Sequence, residues 1–294
     1  MIRIVYYVEF ESNLMYLREL ISSLHSLCIT HEIELPNLGV DIYTSSSCSS
    51  ILNDILTGLQ ESEVLSQSLD FSIHSLTHKS ASLNNFLNKI LVIRDAVSSM
   101  TSGFCIFCDT DYIFVSNFIG SVLSLMQNSS FDLGVSHECG STGFLPFPAH
   151  NTGLMFIAAN SSSKDFLQNW YDRSLKHEHK GSQEWNDQFS FVEALNVFNL
   201  RLLTLEKLHN MRFHPVFQSS DYVWGPIHGI HNHDVSQFYF DVYVKSGFIS
   251  TNNLRHESIN FIVNERMNGF APRHVRFLGN RVTPRESFDI VYTN

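Results

Sequence analysis

The chain has 294 residues, 44% of them hydrophobic and 13% aromatic, enough to bury a substantial core and too apolar for a disordered chain. Only 16% are charged, and 19 basic residues against 29 acidic ones leave a net charge of −10, which argues against nucleic acid as the main partner. No apolar run reaches the roughly 18–20 residues of a membrane-spanning helix.

Met1 to Phe10 lack the long apolar core of a signal peptide. They read instead as a first strand, the β-branched and aromatic run Ile2 to Val8. Leu14, Leu17, Ile21, Leu24 and Cys28 recur at three- and four-residue steps and predict a helix. Leu35 to Gly39 is a turn and Val40 to Thr44 a second strand. The serines from Ser45 to Ser50 then cap a helix running from Ile51 to about Leu59. Phe71 to Leu76 alternates with period two, as a third strand would. Asn85 to Met100 carries Phe86, Ile90, Ile93 and Val97 on one stripe. Lys89 and Arg94 flank that stripe, where either one taken alone reads as a snorkelling base.

Gly103 opens the stretch on which the chain turns. Phe104 to Cys108 is an apolar run of strand length, buried on both faces, and it ends in Asp109-Thr110-Asp111. Ligands of open α/β sheets sit beyond the carboxyl ends of the strands. Two acids there need a counter-charge, and their hard oxygens suit Mg or Mn. The bland alternative is a solvated strand end. Cys105-x-x-Cys108 lies inside the strand, so packing rather than redox chemistry is expected of it. With Cys28, Cys48 and Cys139 the cysteines are an odd set without framework spacing, which suits a reducing compartment and a cytoplasmic location. The alternation of strands and helices predicts an α/β fold with a mostly parallel sheet.

Further on, Ser116 to Asn128 predicts a helix and Phe131 to Val135 a strand, and residues 136–150 a loop suited to substrate contact. Asn151-Thr152-Gly153 leads into another apolar strand. Ser162 to His177 reads as a helix, with Ser162 and Asp165 at capping-box spacing, and Lys176 to Gly181 as a solvated loop. Asp187 falls at the start of a helix, where the dipole favours a carboxylate, and Leu200 to Leu205 looks like an edge strand. His228, His231 and His233 cluster beside glycine and proline. On a strand His231 and His233 share a side and His228 faces away; His231 is the first choice as a metal ligand and His233 the second. Residues 270–294 oppose the rest of the chain, with Arg273, Arg276, Arg281 and Arg285 against Glu286 and Asp289. No repeat, low-complexity tract or clear domain boundary is visible.

Taken together, an apolar strand ending in Asp-x-Asp, an Asn-Thr-Gly, an Asp-Gln at a helix start and a late histidine cluster resemble the GT-A nucleotide-sugar glycosyltransferases. The likeness is to the retaining glycogenin and galactosyltransferase kind and covers about residues 1 to 235. The resemblance implies a Rossmann-like α/β/α sandwich with a mixed, mostly parallel sheet. It implies a single catalytic domain, with a nucleotide-binding half (1–130), an acceptor and catalytic half (131–245) and a C-terminal helical, basic extension (246–294). It implies Mn or Mg held by Asp109, Asp111 and a late histidine, and a donor approached by Lys89 and Arg94. Asn151, Thr152 and Gly153 match the Asn-x-Gly that would frame the acceptor and sugar, and Asp187 and Gln188 would bind the transferring sugar. Val8 and Glu9 would read the nucleotide base through their backbone, with UDP favoured. The acceptor is open (glycan, lipid or protein), and the basic extension suggests acceptor contact or a peripheral contact with an acidic membrane. The sequence departs from the family after the histidines, where Asn232-His233-Asp234 stands and no late lysine for the diphosphate is evident, and Phe189 follows Gln188 in place of an acid. Two other readings remain at this stage: a haloacid-dehalogenase-type phosphatase with Asp109 as nucleophile, and a catalytically silent sugar-nucleotide-binding protein.

Overall fold

A computed structural model describes residues 1–10, 14–76, 85–137, 150–178, 186–206, 209–210 and 228–231, together with 233, 236 and 240. The expected C-terminal extension, with its four arginines, and the 138–149 stretch of the expected loop lie outside the described residues. Strands β1 (Ile2–Tyr7), β2 (Leu38–Ser45), β3 (Asp70–Leu76) and β4 (Phe104–Cys108) are linked by helices α1 (Met15–Thr30), α2 (Ser46–Glu61) and α3 (Asn85–Ser99). After β4 come a short strand β5 (Tyr112–Phe114), α4 (Ile119–Asn128), β6 (Leu133–His137) and β7 (His150–Ala158). The last elements are α5 (Ser161–Glu178), α6 (Asn186–Leu195), β8 (Leu202–Leu205) and β9 (Gly229–His231). Seven strands form one sheet in the order β3-β2-β1-β4-β7-β6-β8, and β5 and β9 make a separate ribbon. Only β7 runs against its neighbours, antiparallel to β4 and to β6. The sheet is therefore mixed and mostly parallel, as expected, and Leu202–Leu205 is the edge strand.

Alternation along the strands builds two cores. Ile4, Tyr6, Ile106, Cys108, Leu154 and Phe156 face one way, onto α1, α2 and α4. Val5, Cys105, Phe107, Met155 and Ile157 face the other, onto α3, α5 and α6. The C-x-x-C is thus divided between the layers, and both thiols are buried and unpaired. Burial pushes the Cys105 and Cys108 thiols far up, so they stay protonated and behave as small apolar side chains. No helix among the described residues is long and apolar enough to cross a membrane.

Several boundaries differ from the sequence reading for local reasons. Helix α2 starts at Ser46, so of the serines only Ser45 stands ahead of it, as its N-cap, and the others lie inside. Helix α5 is capped by Asn160, whose Oδ1 accepts the Ser163 N–H at 2.9 Å, and not by Ser162. Helix α4 begins at Ile119, not at Ser116, because Val115 and Ser116 donate their N–H groups to the His228 carbonyl at 2.9 and 3.3 Å and are held extended against β9. Helix α1 is buried nearly all round from Leu17 to Cys28, not along one stripe. Its second face carries small hydroxyls, which let β5 approach: Ser26 Oγ accepts the Phe114 N–H at 3.0 Å.

His31, fully buried at the end of α1, meets the chain where α4 begins. Its Nε2 lies 3.3 Å from the Phe118 N–H. Thr30 Oγ1 gives its proton to the Ser26 carbonyl, so His31 Nδ1 must be the donor in its 2.7 Å contact with Thr30. That network assigns a neutral imidazole with the proton on Nδ1. Burial pushes His31 down to about 4, against a smaller opposing effect of Glu34, and pushes His25 down to about 4 as well. A folded-state pKa below the unfolded value of about 6.5 gives stability that is complete above that value and is lost as pH falls toward 4. Each histidine is therefore expected to remove about 2 kcal/mol of stability between pH 7 and pH 5. Urea unfolding at both pH values measures this, and His31→Gln, which keeps an acceptor but does not titrate, should remove about half of the dependence.

Candidate active site

Beyond Cys108 the chain leaves the sheet in a tight turn. Asp109 donates its N–H to the Gly153 carbonyl at 2.8 Å and its carbonyl accepts the Tyr112 N–H at 3.2 Å. Strand β5 then pairs antiparallel with β9, Tyr112 opposite His231 and Phe114 opposite Gly229. This register delivers His231 to the acid pair. Gly229 has to lack a side chain, because a Cβ there would fall on the Tyr112 hydroxyl, which itself donates to the His209 carbonyl.

His231 Nε2 lies 3.3 Å from Asp109 Oδ2 and 3.1 Å from Asp111 Oδ1, with Asp111 and His231 both buried. Asp109, Asp111 and His231 each offer one ligand atom within 4.8 Å of the others, the one such group found among the described residues. Two hard carboxylates and one imidazole fit Mg or Mn. Gly153 makes room for them, since a Cβ at that position would collide with the His231 ring and crowd Asp109 Oδ2.

Lys89 reaches in from α3 and joins this group to a second one. Its Nζ lies 2.9 and 3.0 Å from the two oxygens of Asp109, 3.3 Å from Thr152 Oγ1 and 3.6 Å from Asp187 Oδ2. Thr152 Oγ1 donates to Asp187 Oδ2 at 2.8 Å. Asp187 stands in the first turn of α6, and its own carbonyl accepts Trp170 Nε1–H at 2.9 Å, which ties that turn to the core. Asn151 Oδ1 accepts the Gly153 N–H at 2.8 Å, while its buried Nδ2 has no partner among the described residues. These three β7 residues come together where the β6–β7 register jumps. Pairing stops at Val135 opposite Met155 and resumes at Ser136 opposite Asn151, which leaves Thr152, Gly153 and Leu154 unmatched on that side.

His233 stands beside the cluster rather than in it. Its Nδ1 is 2.8 Å from Oε1 of the buried Glu19 and 3.4 Å from Asp111 Oδ2. The hydrogen bond to Glu19, aided by Asp111 and Asp109 and opposed by burial, pushes His233 up to about 9. His228 is elsewhere, with Nδ1 2.8 Å from Ser116 Oγ and its ring stacked on His209.

The structure thus brings Asp109, Asp111, His231, Lys89, Asn151, Gly153 and Asp187 together. Gln188 follows Asp187 in the same turn of α6, half-buried. Val8 is buried in the first core and donates its N–H to the Tyr43 carbonyl at 2.9 Å. Arg94 does not join them: it pairs with Asp95 at 2.8 Å and lies over the Tyr171 ring at 4.5 Å, between α3 and α5. The period-two argument for His233 also lapses, because β9 ends at His231. Sequence reasoning missed Glu19 and the side chain of Thr152. A charged residue among the apolar positions of α1 was the available signal for Glu19.

Residues 100–197 match the family described as nucleotide-diphospho-sugar transferase. No curated protein matches the chain by sequence. Among solved structures, the chain is similar to mouse xyloside xylosyltransferase 1 in its apo form, with a TM-score of 0.55 and 13% identity, over 79% of this chain and 97% of that one. It is also similar to the apo form of the glycosyltransferase GlyE of Streptococcus pneumoniae TIGR4, with a TM-score of 0.52 and 12% identity, over 86% of this chain and 64% of that one. A third is the galactosyltransferase LgtC in complex with donor and acceptor sugar analogs, with a TM-score of 0.50 and 11% identity, over 78% of this chain and 86% of that one. The shared feature at these identities is the fold, which is of GT-A type.

If Asp109, Asp111 and His231 form a single ion site, Gly153→Ala should abolish Mn binding by displacing the imidazole, with the far-ultraviolet circular dichroism spectrum retained. His231→Ala should weaken it well beyond His228→Ala. Titration calorimetry with Mn on the three variants checks the order, and an equal or larger effect of His228→Ala would refute it.

Proposed function

We propose that this chain, a glycosyltransferase of the GT-A nucleotide-diphospho-sugar kind, moves a sugar from a UDP-sugar to an acceptor hydroxyl with retention, using Mn or Mg. The observation that carries the reading is the convergence of Asp109, Asp111 and His231 at the carboxyl end of β4, joined through Lys89 to Asp187. The phosphatase alternative for Asp109 gives way to the match over residues 100–197.

Asp109, Asp111 and His231 would hold the ion, with His231 acting as a neutral imidazole. When bound there, a divalent cation supplies charge neutralisation for the departing diphosphate. The chain's own residues do the rest. Lys89 fixes both oxygens of Asp109 and keeps a positive charge beside the two carboxylates of Asp109 and Asp187. Asp187 presents a carboxylate to the positive charge that develops on the sugar, with Gln188 beside it as a polar contact. The buried Nδ2 of Asn151 is a donor awaiting a ligand oxygen. Val8 and Glu9, at the end of β1, are assigned to the base through their backbone.

The same reading gives residues 1–130 the nucleotide, residues 131–245 the acceptor side, and the basic extension an acceptor or acidic-membrane contact. A cytoplasmic location belongs to it as well, supported by the free thiols of Cys28, Cys48, Cys105 and Cys108. Arg94, expected near the donor, has no part in it.

Asp111→Ala should abolish UDP-sugar turnover with little loss of stability, because removing one acid relieves repulsion at the strand end; full activity in the variant, or in excess chelator, would sink the metal-dependent reading. Truncation after Gly269 should spare donor hydrolysis and lower transfer to acceptor, with the difference shrinking at high salt; equal loss of both would remove the extension from acceptor binding.

A further inference from the structure

The hydroxyl of Thr152 is placed as a link and not as filler. Thr152 is 1% exposed, and its Oγ1 meets both a donor and a carboxylate. An ammonium group only donates, so the 3.3 Å contact with Lys89 Nζ makes Oγ1 the acceptor. The single hydroxyl proton is then committed to Asp187 Oδ2, 2.8 Å away. Lys89 Nζ approaches that same oxygen at 3.6 Å. Every contact the described residues make to the Asp187 carboxylate falls on Oδ2. Among the described residues Oδ1 has no partner, although Asp187 is only 5% exposed.

We infer that Thr152 is a positioning residue: its hydroxyl, itself oriented by Lys89, clamps Oδ2 of Asp187 so that Oδ1 is presented to the transferring sugar. The inference rests on the proposed function, since it needs Asp187 to face the sugar. A carboxylate on a χ2 torsion turns readily, and its two oxygens are interchangeable until something distinguishes them. Thr152 and Lys89 make that distinction by converging on the same oxygen, Oδ2. Lys89 also holds Asp109, so the acid on the metal side and the acid on the sugar side are registered to one ammonium group. A hydroxyl at position 152 therefore sets the relative placement of the two halves of the reaction.

The test compares Thr152→Val, which keeps the shape and removes the hydroxyl, with Thr152→Ser, which keeps the hydroxyl. Hydrolysis of UDP-glucose, UDP-galactose and UDP-xylose with Mn is measured on the full chain, with the binding of UDP and Mn measured by calorimetry alongside. In Thr152→Val, kcat for the best donor should fall about 10- to 100-fold, while KM and UDP affinity stay near wild type. Thr152→Ser should recover most of kcat. An unchanged kcat in Thr152→Val overturns the inference, as does loss of UDP binding in parallel with kcat, or failure of serine to rescue. A wild-type chain that neither binds UDP with Mn nor hydrolyses any of the three donors overturns the proposed function, and this role with it.

Discussion

Charge confinement is the constraint on which this structure turns. Asp111, Asp187 and Glu19 are buried, and Asp109 stands beside them with only part of its surface in water. Carboxylates cannot be withdrawn from water together unless opposite charge and hydrogen bonds are supplied at close range. Here Lys89 lies against Asp109 and Asp187, His231 spans Asp109 and Asp111, and His233 lies between Glu19 and Asp111. Each base touches two acids, so the cluster is a network and not a set of separate pairs, and removing one base would leave two carboxylates short. Such a concentration of buried acid is costly for folding alone and is well suited to a cation.

The backbone does the assembling. Asp109 comes from the end of β4, His231 from a ribbon outside the main sheet, Thr152 and Gly153 from an irregular place in β7, and Lys89 and Asp187 from two helices on one face. Three glycine or hydroxyl positions permit the approach. Gly153 leaves room for the imidazole, Gly229 for Tyr112, and Ser26 lets β5 lie against α1. None of these residues is chemically reactive, yet the metal-side geometry depends on them. They are where a single added methyl group would separate groups that now touch.

The two helical layers have different duties. Helices α1, α2 and α4 close one core, and α1 also carries Glu19 to the underside of the acid turn through Thr110, whose hydroxyl lies 3.4 Å from Glu19 Oε2. Helices α3, α5 and α6 close the other core and supply Lys89 and Asp187. Trp170 of α5 joins the two roles, being fully buried and hydrogen-bonded to the Asp187 carbonyl. Packing on that side therefore fixes the angle at which α6 presents its first turn.

The sequence by itself determined the parts whose causes are local. A buried strand has a continuous apolar run, so Phe104 to Cys108 and Leu154 to Ala158 were legible, as was the change of chemistry at Asp109. Alternating strand and helix patterns led to the mostly parallel sheet, and the position of Asp187 at a helix start followed from residue type. Tertiary structure decided what depends on contacts far apart in the chain. Lys89 and Arg94 flank the same stripe on one helix, yet one turns into the acid cluster and the other lies outside between its neighbour Asp95 and Tyr171, because the acids that draw Lys89 in and the ring that Arg94 lies on come from distant parts of the chain. Glu19 lies off the apolar stripe of α1 in sequence, and only the tertiary contacts with His233 and Thr110 bring it to the site. Among three histidines within six residues the sequence favoured His231, and the pairing of Tyr112 with His231 is what carries that one to the acid pair. Periodicity reports which face of an element is buried, but not which other element arrives to bury it.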